Sequence, residues 1–475
     1  MRSYTFDFET TTDPEDCRVW AYGIYSIDDD RYITDGNSIE GFIEWLECAA
    51  NCKGYFHNLG FDGVFIIDHL LKSGWLWVDS RQKATDRTFT TLISDMNQVY
   101  QITLYFTKTR YVTIQDSLKI IPLSVEAMAK AYGLEIRKGS IDYDEYREPG
   151  HEITDDERAY LVNDVAIVAK SLRTFFEQKL TKMTAGSNAL FDYKRRLGGH
   201  RKFRNVFPLL SEEEDAFIRK AYRGGFTYVN PKFQGRDVGE GIVFDVNSLY
   251  PSVMAACDGQ FVPYGKPVWF DGVPQPTERH PLWIACVLCS FKVRKEHIPC
   301  LQLKGNMMFK QTEYVKDSQG RVCITVTNVD WELMNKQYHV WDVEFIGGYM
   351  FHASPHMFQD YVCKWVDIKN QATISGNGGL RSLAKLMLNS LYGKFATRTT
   401  VKSRKPVLVD GVVHYVDLEP EQRDGVYLPC GVFITSYARY KTITSAQSVY
   451  DRFIYADTDS LHLVGTEIPD CLDVD

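Results

Sequence analysis

The sequence predicts an α/β chain, α+β in its detail, built as two or more domains. Three observations carry this. Its 475 residues exceed what one hydrophobic core fills. Strand-like and helix-like runs alternate through the first 185 residues. After a basic, glycine-broken stretch a second α/β series begins, interrupted by a long mixed region.

In the first segment, "YTFDFETT", "VWAYGIYSI", "QVYQITLYF" and "RYVTIQDSL" read as strands of a mixed sheet. The opening strand sends Asp7 and Glu9 to one face, because side chains alternate and Phe6 and Phe8 take the other. "FHNLGFDGVF" supplies Asp62, with Asn58 four residues before it. The segment closes on "TDDERAYLVNDVAIVAKSLRTFFEQKL", where Thr154 and Glu157 form a capping box and Leu161, Val165 and Val168 keep an apolar face. Tyr160 and Asp164 stand one turn apart on that helix. Asp7, Glu9, Asp62 and Asp164, with a tyrosine able to orient water, are the inventory for two-metal hydrolysis of a phosphodiester.

"KRRLGGHRKFR" then carries Lys or Arg at 194, 195, 196, 201, 202 and 204 with no acid, and marks a boundary with a basic surface. Such a run is more often a solvated face than a binding strip. Beyond it, "IVFDVNSLYP" ends an apolar strand at Asp245. "LRSLAKLMLNSLYGKF" gives a helix over 380–394, with Leu380, Leu383, Ala384, Met387 and Leu391 in an apolar stripe and Arg381, Lys385, Asn389 and Tyr392 on another face. Two cations, an amide and an aromatic ring suit a triphosphate and then a base; as exposed helix cations are common, surface charge is the plainer reading. A polar, hairpin-like stretch follows from about 396 to 425.

"YADTDSLHL" sets Asp457 and Asp459 one residue apart. In an extended strand both point the same way, with Thr458 opposite. Two like charges at about 4 Å repel by roughly 4 kcal/mol at an effective dielectric near 20, so a cation is expected between them. Flanking Phe453, Ile454, Tyr455, Leu461 and Leu463 argue a strand or a tight hairpin, and a turn capped by Asp457 and Ser460 is the alternative. If strands 242–246 and 453–459 are neighbours, Asp245 and Asp457 jointly hold two Mg²⁺ ions, hard cations that favour oxygen, with Asp459 in support.

The bulk properties restrict less. With 44% hydrophobic and 24% charged residues the composition is ordinary for a globular protein. A net charge of -8 announces no nucleic acid, but carboxylates gathered for metals can mask local basic strips. The eleven cysteines are scattered, and Cys286-Val-Leu-Cys289, although at zinc spacing, lies in an apolar run without a second close pair. Free thiols in a reducing cytoplasm are expected. "MRSYTFDFETTT" has acids where a signal peptide carries its apolar core, and no stretch approaches 18 apolar residues, so neither export by that route nor membrane spanning is expected.

Taken together, seven motifs in order resemble the protein-primed subgroup of family B DNA polymerases over essentially the entire chain. "DFETT", "HNLGFD" and "YLVND" are similar to its three exonuclease motifs, "AYRGGF" to its linker motif, and "DVNSLYP", "KLMLNSLYGKF" and "YADTDS" to its polymerase motifs A, B and C. The resemblance implies an RNase H-like 3′–5′ exonuclease domain over 1–185, a basic linker over 186–205 and a polymerase domain over 206–475. Within the last, palm is implied at 206–262 and 426–475, fingers at 355–396, and subgroup insertions at 263–354 and 397–425. It implies a DNA-directed DNA polymerase with proofreading exonuclease, working by two-metal phosphoryl transfer with two Mg²⁺ per site, Mn²⁺ being the alternative.

By the same resemblance Asp245, Asp457 and Asp459 are the polymerase acids, and Val246 joins Asp245 at the metal and nucleotide. Asp7, Glu9, Asp62 and Asp164 fall on the exonuclease metal ligands, Tyr160 on the water-orienting tyrosine, and Lys138 in "RKGSIDY" on a lysine that stabilises developing phosphorane charge. Thr10, His57, Asn58, Phe61, Phe65, Ser117, Leu118 and Tyr143 fall on positions that hold the single-stranded primer end, and Tyr222, Arg223, Gly224 and Gly225 on the template-binding motif. Lys369, Arg381 and Lys385 match phosphate-binding cations; Tyr250, Asn389 and Tyr392 line the nucleotide pocket, where the Tyr250 ring leaves no room for a 2′-hydroxyl. The implied partners are primer-template and single-stranded DNA, dNTPs and a terminal protein, for a phage enzyme in the host cytoplasm that is a monomer or a heterodimer with that protein. Three departures stand out: four extra residues between Lys369 and Lys385, Arg381 where lysine is usual, and an end at 475 before the thumb of the family pattern. An exonuclease with an incomplete polymerase half is therefore the rival. A glycosyltransferase built on the Asp-x-Asp pair leaves the first carboxylate set unexplained; a DNA-binding replication factor without turnover is the third alternative.

Overall fold

Residues 1–302 and 314–472 are described by the structure, a computed structural model; part of the expected 263–354 insertion and the last three residues lie outside them. The chain divides into two compact units, one of Met1–Asp192, Asp367–Met387 and Thr399–Arg423, the other of Tyr193–Val366, Leu388–Arg398 and Asp424–Asp475.

The first unit is built on a mixed sheet. Its centre is Ser3–Thr10, parallel to Cys52–Phe56 and antiparallel to Val19–Ser26. Cys52–Phe56 in turn runs parallel to Tyr111–Asp116, beyond which lie Val99–Tyr105 and Thr88–Ser94. Alternation along Ser3–Thr10 sorts the faces as expected: Tyr4, Phe6 and Phe8 enter a core with Phe42 and Phe56. Gly54 lies under Phe6, where a Cβ would fall 1.9 Å from the ring, so only glycine admits that aromatic layer. Thr5, Asp7 and Glu9 take the other face, which helix Asp155–Glu177 covers; the Thr5 hydroxyl donates to the Val165 carbonyl at 2.8 Å. The Thr154–Glu157 capping box is present.

The sheet's last two strands come from far along the chain. The stretch expected as an insertion at 397–425 forms a hairpin, Ser403–Val409 with Val412–Asp417, which joins Thr88–Ser94 through Ser403 opposite Ser94 and Arg404 opposite Ile93. Leu76–Trp77 pairs with the other end of the same strand.

The second unit carries two four-stranded sheets, ordered Gly241–Asp245, Ser460–Val464, Phe453–Asp457, Thr227–Val229 and Val262–Asp271, Tyr338–Ser354, Leu282–Val293, Val322–Thr327. Helix Leu428–Ser448, buried along most of its length, packs against both. Cys286 and Cys289, three residues apart on one strand, face opposite sides, Cys289 into the core, so their spacing makes no zinc pair. Among the described residues no helix is long and apolar enough to cross a membrane.

Two expectations from the sequence are corrected here. Residues 455–463 are not a single strand: Phe453–Asp457 and Ser460–Val464 form a hairpin across a two-residue turn, Thr458 and Asp459. Thr458 has φ of +59°, which takes the chain out of the extended region, so the alternation argument for Asp457 and Asp459 does not apply. Nor are strands 242–246 and 453–459 direct neighbours, because the returning strand Ser460–Val464 lies between them.

Candidate active sites

In the first unit, Asp7, Glu9, Asp62, Asp164, Lys138 and Tyr160 line one cavity of about 390 Å³, together with Thr10, His57, Asn58, Phe61 and Tyr143. Each arrives by a separate local device. Asp7 and Glu9 leave the central strand, with Gly23 beside Asp7 so that Leu161 and Val165 of the covering helix fit close above. Asn58 adopts a left-handed conformation (φ +76°) between strand Cys52–Phe56 and helix Leu59–Lys72, which brings Asp62 into that helix's buried first turn. Asp164 and Tyr160 descend from the closing helix, and the Lys138 Nζ lies 3.1 Å from an Asp164 carboxylate oxygen.

The electrostatics reflect four acids in one small space. Burial, then the Asp164 charge, pushes the Asp7 carboxyl up to about 8. Burial, then Asp7 and Asp164, pushes Glu9 up to about 9. Burial followed by Asp7 raises Asp62 well above the ordinary range, and burial raises Asp164 despite its lysine. Burial works against the Lys138 charge, but Asp164 and Asp7 outweigh it and raise the lysine.

The expected primer-end residues are ordered around this cavity. The His57 Nδ1 is 3.0 Å from the Ser117 hydroxyl and its Nε2 is 2.7 Å from the Leu123 carbonyl. The Tyr143 and Tyr160 hydroxyls are 2.7 Å apart. Phe61 is 53% exposed and rests edge-on against Phe65, an apolar ledge on which a base can stack. Ser117 is buried, its hydroxyl bonded to the Phe56 carbonyl as well, and Leu118 donates its N–H to Asp116; both act as supports for His57 and Asn58.

In the second unit, Asp245 and Asp457 both stand opposite Ser460, one on each side, and so share a face of the sheet two strand spacings, roughly 10 Å, apart. The intervening strand therefore spaces the acids instead of separating them. The Val246 N–H donates to the Asp459 carbonyl at 2.7 Å. Thr227 and Thr458 hydroxyls donate to one oxygen of Asp457 at 3.0 and 3.3 Å. A left-handed φ is costly for a β-branched residue, and Thr458 is held to it by its N–H to the Phe226 carbonyl and by the Thr442 hydroxyl on its own carbonyl. Tyr250 stacks on Tyr392 with centroids 3.9 Å apart. Gly225 fits beneath them: a Cβ there would fall 2.7 Å from the Thr458 hydroxyl and 3.0 Å from that of Tyr250.

Arg223, expected within the template-binding motif, is enclosed by the second unit. It is 7% exposed, and its guanidinium donates to the Thr325 carbonyl within a buried cluster. There the Arg439 Nη2 donates to both Asp330 carboxylate oxygens, at 2.7 and 2.9 Å, and its Nη1 donates to the backbone carbonyls of Arg223 and Gly224. The Arg223 side chain thus belongs to the support of the Tyr222–Gly225 segment. On helix Gly378–Phe395, Arg381, Lys385 and Asn389 are exposed and Tyr392 partly so, all on the face opposite buried Leu383, Ala384, Met387 and Leu391. Lys369 is partly exposed on helix Gln359–Ile374.

The family profile described as DNA polymerase type B, organellar and viral, matches residues 49–149 and 144–475. The chain belongs to that family. Among its relatives, the DNA polymerases of Bacillus phages PZA and phi29 are each 45% identical over 99% of this chain and 81% of their own length. That of Streptococcus phage Cp-1 is 32% identical over 97% and 81%. The solved structure of phi29 DNA polymerase complexed with single-stranded DNA superposes with a TM-score of 0.90 at 43% identity, covering 99% of this chain and 81% of that one. The ternary complex of the same enzyme with primer-template DNA and incoming nucleotides gives 0.89 at 44%, with the same coverage.

The chain is accordingly a DNA-directed DNA polymerase, of a family that uses divalent metal ions. Its residues fit such ions. The buried Asp164 Oδ1 has no hydrogen-bond partner among the described residues, and the burial and mutual repulsion that raise the Asp7 and Glu9 carboxyls make this a place that favours added positive charge. Among the described residues no three acidic, histidine or cysteine side chains close on one point as a ready-made metal cluster.

Sequence reasoning passed over Asp116, Thr227, Asp330 and Arg439. Asp116, which accepts from both the Asn58 and Leu118 N–H groups, had a signal in its place at the end of a quoted strand. Asp330 and Arg439, far apart in sequence and buried together, had none.

Proposed function

We propose that this DNA polymerase carries two activities in its two carboxylate sites: 3′–5′ degradation of single-stranded DNA at Asp7, Glu9, Asp62 and Asp164, and template-directed extension at Asp245, Asp457 and Asp459. What supports the reading most is the first cavity, where four acids, the Lys138–Asp164 pair and the Tyr160 hydroxyl meet beside the exposed Phe61 ring. Mg²⁺ ions, two per site, supply Lewis-acid stabilisation of charge on the reacting phosphate. Phe61 and Tyr143 hold the terminal bases, His57 and Asn58 bind the strand, the Tyr160 hydroxyl orients the attacking water, and Lys138 offsets charge gathering on phosphate oxygens.

In the other site, Asp245, the Val246 backbone and Asp457 hold the metal ions, Lys369, Arg381 and Lys385 bind the triphosphate, and the Tyr250–Tyr392 stack bounds the sugar. Tyr222, Gly224 and Gly225, with the buried Arg223 as their support, form the segment that binds the template. On this reading residues 1–185 are the exonuclease domain, 206–262 and 426–475 palm, 355–396 fingers, and 263–354 and 397–425 the surfaces that meet a terminal protein and the DNA, in the cytoplasm of a phage's host. A labelled primer-template in Mg²⁺ tests it: extension with dNTPs and shortening without them are expected. Shortening alone would leave only the exonuclease, and neither would overturn both assignments.

A further inference from the structure

Helix Gly378–Phe395 begins with two successive glycines, the poorest helix formers after proline. Asn377 caps it, its side-chain oxygen accepting the Leu380 N–H at 3.0 Å. Neither glycine has a positive φ, unlike Gly376 just before them, so conformation does not demand them. Close approach does. A Cβ on Gly378 would fall 2.4 Å from the Ala131 carbonyl oxygen, and one on Gly379 would fall 2.8 Å from the Tyr132 ring. Ala131 and Tyr132 end the short helix Val125–Ala131, and Tyr132 is fixed as its cap by an N–H bond to the Met128 carbonyl. The partial negative end of that helix therefore faces the partial positive start of the other. At its far end the same short helix starts at Ser124 and Val125, which line the exonuclease cavity.

We propose that Tyr132 is a positioning residue for the incoming nucleotide, its ring and the Ala131 carbonyl forming a seat that fixes where the cation-bearing helix starts. The inference rests on the assignment of Arg381 and Lys385 to the triphosphate. Arg381 is three residues from Gly378, less than one turn, so a shift of the seat passes to its backbone almost undiminished.

Steady-state single-nucleotide insertion on primer-template, beside exonuclease rates on single-stranded DNA, tests this in the full chain. Tyr132→Ala and Gly379→Ala are each expected to raise KM for dNTP about tenfold with kcat and exonuclease rate within about twofold, since misplaced binding groups weaken ground-state binding. Tyr132→Phe should behave as wild type, because the ring and not the hydroxyl forms the seat. In the double variant the effects should not multiply, since removing the ring makes room for the Cβ. Arg381→Ala, the control, should raise KM on its own. An unchanged KM in Tyr132→Ala beside a raised one in Arg381→Ala overturns the seat alone. An unchanged KM in Arg381→Ala overturns the nucleotide assignment and the seat with it. Equal loss of insertion and degradation in both Tyr132→Ala and Gly379→Ala also overturns the seat, in favour of a folding role.

Discussion

Replacing Asp330 by alanine would leave two arginines buried without their carboxylate. Asp330 is 5%, Arg439 3% and Arg223 7% exposed. Asp330 also accepts from the Thr327 and Ser436 hydroxyls. Removing one partner of such a pair costs about 3–5 kcal/mol, because the remaining charge keeps its desolvation penalty. Arg439→Ala should cost a similar amount and also strip donors from the Arg223 and Gly224 carbonyls. The double variant should fall short of the sum by about 2 kcal/mol, the signature of a shared interaction. Urea unfolding measures this, with degradation of single strands as the control that the first unit remains folded. Burial alone would raise the Asp330 carboxyl, but Arg439, Arg223 and the hydrogen bonds from Arg439 and Ser436 hold it below its ordinary value. Its contribution is therefore fully present above the unfolded value, near pH 4, and is lost as pH falls through the lower folded value. The gap between wild type and Asp330→Ala should be flat from pH 5 to 8 and close in stronger acid. A cost under about 1 kcal/mol, or strict additivity, would refute the reasoning.

Three further outcomes follow from the same structure. Asp457→Ala or Asp245→Ala should lower extension by several orders of magnitude while sparing degradation, and Asp7→Ala with Asp62→Ala should do the reverse; loss of both activities in a folded variant sinks the two-site assignment. Tyr250→Val should raise ribonucleotide use relative to deoxyribonucleotide in competitive insertion, and unchanged discrimination would place selectivity elsewhere. Burial and mutual repulsion hold the metal-free Asp7 and Glu9 carboxyls up at about 8 and 9, so Mg²⁺ must displace protons near neutral pH; calorimetry in buffers of different ionisation heat should find net proton release on Mg²⁺ binding at pH 7 that shrinks by pH 9.5, and no release at pH 7 would contradict the burial argument.

The first site was legible because its devices are local. Alternation along one strand paired Asp7 with Glu9, and a capping box set the phase of the helix that delivers Tyr160 and Asp164. The second was legible in its residues but not its geometry, because nothing in a threonine announces a left-handed turn, and without that turn Asp457 and Asp459 read as one strand. The burial of Arg223 beside two glycines was not legible, because it depends on Asp330 and Arg439, whose pairing only the folded chain creates. The helix begins at Gly378 and not 380 because Asn377 caps it, whereas "GNGG" reads locally as a loop.

The hairpin on the edge of the first sheet ties folding to the order of synthesis. Strand Thr88–Ser94 is complete early, but the partner that covers its Ile93 and Ser94 end starts at Ser403. At about 5–20 residues per second, a ribosome takes on the order of 15–60 s to supply it. Throughout that interval Leu76–Trp77 shields only the Thr88 and Phe89 end, and the rest of the strand offers unpaired backbone groups to any other nascent chain. The first unit, although most of it is encoded first, is therefore among the last parts of the described chain to be finished, and slowing translation between codons 94 and 403 should lower soluble yield more than the same delay placed after codon 417.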